Sequence, residues 1–190
     1  MNLYKTCCFI GHRVIEITDS LIRRLKVLME TLLVCDNVGI FLFGSNSQFN
    51  DIALDIVTDL QKKYPHIKRI AYGCKSEAFF WEKDKEYYKK LMSNFYNELV
   101  DVMTIDEVFD HKTKYTAGKA SYVERNQAMI DNSDFCIFFY DEDYLPKKRK
   151  KSKKYTSLYQ PQSGTKLAYL YAVQKRKKIF NLFFDAPIEI

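Results

Sequence analysis

The polar chemistry of this chain gathers in four short stretches, each beside an apolar run or at the start of a helix-like segment. Gly11, His12 and Arg13 follow the apolar run 4–10 (YKTCCFI). Gly44, Ser45, Asn46, Ser47 and Gln48 follow the run VGIFLF at 38–43. Arg125 and Asn126 lie in a helical stretch ahead of the run FCIFFY at 135–140, and Ser163, Gly164, Thr165 and Lys166 open a last helix with Leu167, Leu170 and Tyr171. These residue types suit an anion. A guanidinium grips phosphate or carboxylate through two parallel hydrogen bonds. Free N–H groups and hydroxyls at a helix start favour negative charge, and the helix dipole adds to them. Asp141, Glu142 and Asp143 could accept from ribose hydroxyls or simply make a turn. Taken alone, Arg13 and Arg125 would equally serve in surface ion pairs, and Ser163 as a helix cap.

The elements around these stretches alternate between strand and helix. Short, nearly continuous apolar runs fit strands buried on both faces of a parallel sheet. Between the first two, Leu21, Leu25, Leu28 and Leu32 recur at helical spacing, with Thr18 or Asp19 as cap and Asp36-Asn37 as the end. This makes a βαβ unit. Ile52, Ala53, Ile56, Val57 and Leu60 form the face of a second helix, which Asn50 can cap and Tyr64-Pro65 stops. Residues 67–73 read as a third strand and 179–184 as the last. Between 74 and 117 the pattern is weaker. A helix is expected over 82–97 and a short strand within 100–109, and Phe79, Phe80 and Trp81 could wall a base or fill a core. Gly118 introduces the helix of Arg125. Its apolar stripe reads as Ala120, Val123, Gln127 and Ile130, which leaves Arg125 and Asn126 facing a cleft or solvent. The expected fold is α/β: a Rossmann-like three-layer domain over 1–190 with a mostly parallel central sheet. The four polar stretches would meet at the sheet's carboxyl edge, where such sheets bind ligands.

Composition narrows the classes. The net charge is +6, but KKRKKSKK at 147–154 supplies seven of the 30 basic residues, and the rest of the chain stands at −1. A nucleic-acid binder spreads its charge over a face, so nucleic acid is not the expected partner. The excess belongs to a long basic loop over 144–162, either solvated or an anion-attracting flap. No apolar run approaches membrane-spanning length and the N-terminus is not a signal peptide, so a cytoplasmic protein without membrane association is expected. Five cysteines without a C-x-x-C pair and three scattered histidines predict reduced thiols, with no metal site and no cofactor. The 14 Phe and 14 Tyr make a homodimer or higher homo-oligomer plausible.

Taken together, GHR at 11–13, FGSNSQFND at 43–51, YVERNQAMIDNSDFCIFFYDE at 122–142 and YQPQSGTKLAYLYA at 159–172 resemble the SLOG superfamily. That group is named for DNA-processing protein A and the Lonely Guy enzymes. The likeness is greatest to its short stand-alone bacterial branch and covers nearly the whole chain, with 74–117 carrying the least. It implies a Rossmann-like fold and a nucleotide-derived ligand. Lonely Guy enzymes carry Arg-Lys-x-x-Met, then a strand, then Pro-Gly-Gly-x-Gly-Thr-x-x-Glu. Here Arg125 matches the arginine, Asn126 replaces the lysine, Met129 matches the methionine, and Gly164-Thr165 match the phosphate-binding pair. The Pro-Gly-Gly lead-in is absent. Ala168 stands where the catalytic glutamate would be. N-glycosidic cleavage needs a carboxylate, so the resemblance implies binding or sensing ahead of phosphoribohydrolase-like chemistry. Glu77, Glu124, Asp141 or Glu142 could supply an acid from elsewhere. A nucleic-acid-associated role is the third possibility.

Overall fold

Lys5–Gly11 (β1) forms the middle of the sheet because its side chains are apolar on both faces. In the computed structural model, which describes residues 3–44, 47–74, 105–110, 119–144 and 163–184, β1 is followed by Asp19–Asp36 (α1), Val38–Phe43 (β2), Gln48–Lys63 (α2), Lys68–Gly73 (β3), Glu107–Asp110 (β4), Lys119–Asp131 (α3), Phe135–Phe139 (β5), Gly164–Gln174 (α4) and Lys178–Asn181 (β6). The six strands pair in the order β4-β3-β2-β1-β5-β6, and every pairing is parallel. This is a Rossmann-like α/β sheet, as the alternation of runs predicted.

Alternation along β1 builds two cores. Cys7 and Phe9 enter one layer with Leu21, Leu25 and Leu28 of α1 and Ala53, Val57 and Leu60 of α2. Cys8 and Ile10 enter the other with Met129 and Ile130 of α3 and Ala168 and Ala172 of α4. Helices α1 and α2 therefore cover one face, and α3 and α4 the other. All described cysteines are free thiols, and Cys7, Cys8, Cys74 and Cys136 are buried. Among the described residues, no helix is long and apolar enough to cross a membrane.

Local signals account for the boundaries. Thr18 Oγ1 accepts from the Leu21 N–H at 3.1 Å and caps α1, and Asn37 ends it in the left-handed region at φ 58°. Arg69 on β3 is 5% exposed and grips Asp106 with Nε at 3.1 Å and Nη2 at 3.0 Å, while its backbone N–H donates to the same carboxylate at 2.7 Å. That pair ties β4 to the edge of the sheet.

Three expectations change. The cap of α2 is Ser47, whose Oγ accepts from the Asn50 N–H at 3.2 Å; Asn50 lies inside the first turn. The last strand is Lys178–Asn181, earlier and shorter than 179–184. The buried stripe of α3 is Ser121, Arg125, Met129 and Ile130, while Ala120 is exposed. Arg125 thus points inward rather than off the buried stripe. Gly44, the residue after β2, leaves Arg125 room there, since a Cβ on it would lie 3.2 Å from Nη2. The expected helix at 82–97, the aromatic residues Phe79, Phe80 and Trp81, Gly118, and nearly all of the basic loop lie outside the described residues.

Candidate functional site

From β1 the neighbours run outward through β2, β3 and β4 on one side and through β5 and β6 on the other. The order reverses between β1 and β5, so the crevice of an open α/β sheet opens at their carboxyl ends. Gly11 closes β1 beneath α2. A Cβ on it would come within 2.5 Å of Phe49 Cβ, so only glycine fits there. Arg13 is exposed, and its carbonyl accepts from the Gln48 N–H at 3.1 Å. Gln48 Oε1 in turn accepts from the Ile15 N–H at 2.9 Å, which latches the loop to α2.

His12 spans the crevice. It is 2% exposed, and its Nε2 lies 3.0 Å from the Asp141 backbone N–H just beyond β5. Burial holds the imidazole below its ordinary pKa, against a smaller upward pull from the backbone and charge of Asp141. Its Nδ1 is buried without a hydrogen-bond partner among the described residues. The ring stacks on Tyr144 at 3.8 Å between centroids and lies 6.1 Å from Tyr140, which stacks on Tyr169 of α4 at 4.5 Å. The sequence reading looked for an aromatic wall at Phe79–Trp81 and missed these tyrosines. The available signal was Tyr140, placed directly after the FCIFF strand.

At the end of β2, Gly44 meets α3. A Cβ on Gly44 would lie 3.2 Å from Arg125 Nη2 and 3.3 Å from its Cζ. Arg125 is 4% exposed, and its Nη2 and Nε donate to Asn126 Oδ1 at 3.1 and 3.3 Å. Its guanidinium also lies over the Tyr122 ring at 5.4 Å. Ser47 is occupied differently. Its Oγ accepts from both the backbone N–H and the side-chain Nδ2 of Asn50, and Asn50 Oδ1 accepts from the Gly44 N–H at 3.2 Å. Ser45 lies outside the described residues.

Helix α4 opens with Ser163, whose Oγ accepts from the Lys166 N–H at 3.0 Å. Thr165 is buried, and among the described residues nothing lies within 4 Å of the point where a Cβ of Gly164 would sit. Ala168 is 1% exposed, inside the apolar layer with Met129, Ile130 and Tyr140. Among the other acids, Asp141 Oδ1 accepts from the Asp143 N–H at 2.9 Å in a turn, and Glu142 is exposed. Glu77 lies outside the described residues.

The YpsA family model, described as the YspA SLOG family, matches residues 11–174. The chain belongs to this SLOG family. The match begins at Gly11, the end of β1, and closes at Gln174, the end of α4. All four polar stretches of this SLOG chain therefore fall inside it. The chain is also 30% identical over 125 residues to the uncharacterized SPbeta prophage-derived protein YoqJ of Bacillus subtilis, covering 62% of this chain and 70% of that protein. Membership of the SLOG family fits a nucleotide-related function in general.

In this SLOG chain His12, Gly44, Arg125, Asn126 and the start of α4 at Ser163, Gly164 and Thr165 share the α3/α4 side of the sheet, at its carboxyl edge. Gly11 and Ser47 serve α2 on the opposite side, and Arg13 reaches outward. The arrangement can hold an anion at a buried guanidinium and a helix start, with a flat aromatic region beside it.

Proposed function

We propose that this protein binds or senses a phosphate-bearing, nucleotide-derived small molecule at the carboxyl edge of its sheet, on the α3/α4 side. The observation that carries the proposal is Arg125, a guanidinium 4% exposed and lying beside Gly44, the residue after β2. A guanidinium offers a phosphate two parallel hydrogen bonds. Arg125 would hold phosphate from the sheet side, steadied by Asn126. The start of α4, where Gly164 has no side chain, would hold it from the other. Arg13 would assist from the surface.

Binding without turnover is favoured because Ala168 lies in an apolar layer and offers no carboxylate. The test is a thermal-shift screen against nucleoside monophosphates, dinucleotides, cyclic nucleotides and ADP-ribose derivatives, with product analysis of each hit. A ligand at 100 times its Kd raises stability by about 2.7 kcal/mol. A shift with the ligand recovered intact supports the proposal. Release of a base would replace it with hydrolysis of an N-glycosidic bond, and the absence of any shift would count against both.

A further inference from the structure

Among the described residues, one ring nitrogen of His12, Nδ1, is buried with no hydrogen-bond partner. A backbone N–H only donates, so Nε2, 3.0 Å from the Asp141 N–H, accepts. The Asp141 carbonyl, at 3.3 Å from the same nitrogen, is the longer contact. In a neutral imidazole the hydrogen then sits on Nδ1. That atom is buried and has no hydrogen-bond partner among the described residues. A buried donor left unmet costs about 1–3 kcal/mol. Native structures keep few of them, and those that persist mark functional positions or sites of bound water or ions.

Position and surroundings indicate what would receive it. His12 follows β1 and touches Asp141, two residues past β5, so it lies in the crevice of the sheet. Its described contacts are a backbone amide and tyrosine rings, which suit an uncharged, flat partner better than a phosphate. Arg125 lies at Gly44, after β2, the strand next to β1. Phe9 pairs with Phe43, so Gly44 stands level with Ile10 and His12 lies two residues further on; with strands about 4.8 Å apart and a rise of about 3.3 Å per residue, the backbones of His12 and Gly44 are about 8 Å apart. That span separates a 5′-phosphate from the sugar and base of one nucleotide.

We infer that His12 is the specificity-determining residue of this edge. Its Nδ1–H donates to an uncharged acceptor on the nucleoside part of the ligand, a ribose oxygen, a base carbonyl or a base ring nitrogen. Tyr144 and the Asp141 amide fix the plane and tautomer of the ring that does so. The inference rests on the phosphate-holding role proposed above for Arg125 and α4.

The test titrates the full chain and its His12→Phe variant with each of the four common nucleoside 5′-monophosphates and, separately, with inorganic phosphate. Phenylalanine keeps a ring against Tyr144 and removes the donor. The best nucleotide should lose at least tenfold in affinity, while inorganic phosphate binds both proteins equally. Equal nucleotide affinity in the two proteins overturns the inference and leaves the phosphate reading standing. Equal losses for nucleotide and phosphate overturn it too, by moving His12 to the phosphate. Binding of neither probe by the unaltered chain overturns both readings. A long-range ¹H–¹⁵N correlation spectrum of the unaltered, ligand-free protein gives a check that needs no variant. It should show His12 protonated on Nδ1 and bare on Nε2, and the reverse tautomer would overturn the inference.

Discussion

Arg125 lies beside Gly44, the residue after β2, so close that a methyl group on Gly44 would meet Nη2 at 3.2 Å. Gly11 closes β1 on the opposite face, where the obstacle is Phe49 Cβ at 2.5 Å. The two glycines answer different needs, and their alanine variants separate them. In Gly44→Ala the neighbour is the far end of a flexible side chain, which can move by a few tenths of an ångström. Stability should fall by about 1 kcal/mol, with a larger proportional loss of ligand affinity. In Gly11→Ala the neighbour is a Cβ fixed to the backbone of α2. Urea unfolding should show a loss of about 3 kcal/mol or more. Adding Phe49→Ala should not restore it, because the clashing Cβ remains.

Buried Arg69 and the partly exposed Asp106 form the ion pair that ties β3 to β4. Removing one partner of such a pair costs about 3–5 kcal/mol, and Asp106→Ala should fall at the low end because its carboxylate is 31% exposed. Burial pushes the Asp106 carboxyl up, but hydrogen bonds from the Arg69 side chain and backbone outweigh it and leave the pKa below 3.8. A depressed acid stabilises the fold above its unfolded pKa. The contribution should therefore persist at neutral pH and disappear on acidification below about 3.8, by denaturant midpoints across pH.

Asp51, in the first turn of α2, behaves in the opposite sense. It is exposed, yet enough protein surrounds it that partial burial, followed by the like charge of Asp55, raises its carboxyl to about 6. A raised acid binds more protons folded than unfolded, so its cost to the fold appears as pH rises from 3.8 through about 6. Asp51→Asn should raise Tm at pH 7 and leave it unchanged at pH 3.5. A Tm gain of the same size at both values would contradict this account.

Ala168 tests the relation to hydrolytic relatives. A carboxylate there would enter the layer formed by Met129, Ile130 and Tyr140. Ala168→Glu should lower stability by several kcal/mol, seen as a large drop in Tm, without base release from nucleoside monophosphates. A folded variant that releases base would instead show that one carboxylate is all the site lacks.

Much of this arrangement was legible in the sequence because it depends on local runs. Val38–Phe43 matches β2 at both ends, and the apolar runs after Tyr4 and before Asp141 supply β1 and β5. Ser163 was legible as a cap because a serine opening a helical pattern has one common role. The inward turn of Arg125 was not legible. A periodicity that scores apolar residues treats arginine as outward, and the glycine that accommodates it lies 81 positions earlier. Ser47 and Asn50 are equally good cap residues, and only the point where the backbone becomes helical distinguishes them. The bridge from His12 to Asp141 joins residues 129 apart and follows from strand order, which no local pattern carries.

The most direct measurement compares nucleotide affinity in the unaltered chain with Arg125→Ala and Arg125→Lys, using the strongest hit of the thermal-shift screen and the ligand-free Tm of each variant as the check on folding. Lysine keeps a cation but loses the two-pronged grip, so it serves if alanine does not fold. The account predicts loss of binding in Arg125→Ala and at least a tenfold loss in Arg125→Lys, with both ligand-free variants folded or Arg125→Lys alone. Undiminished affinity in a folded variant would contradict it and remove Arg125 from the site.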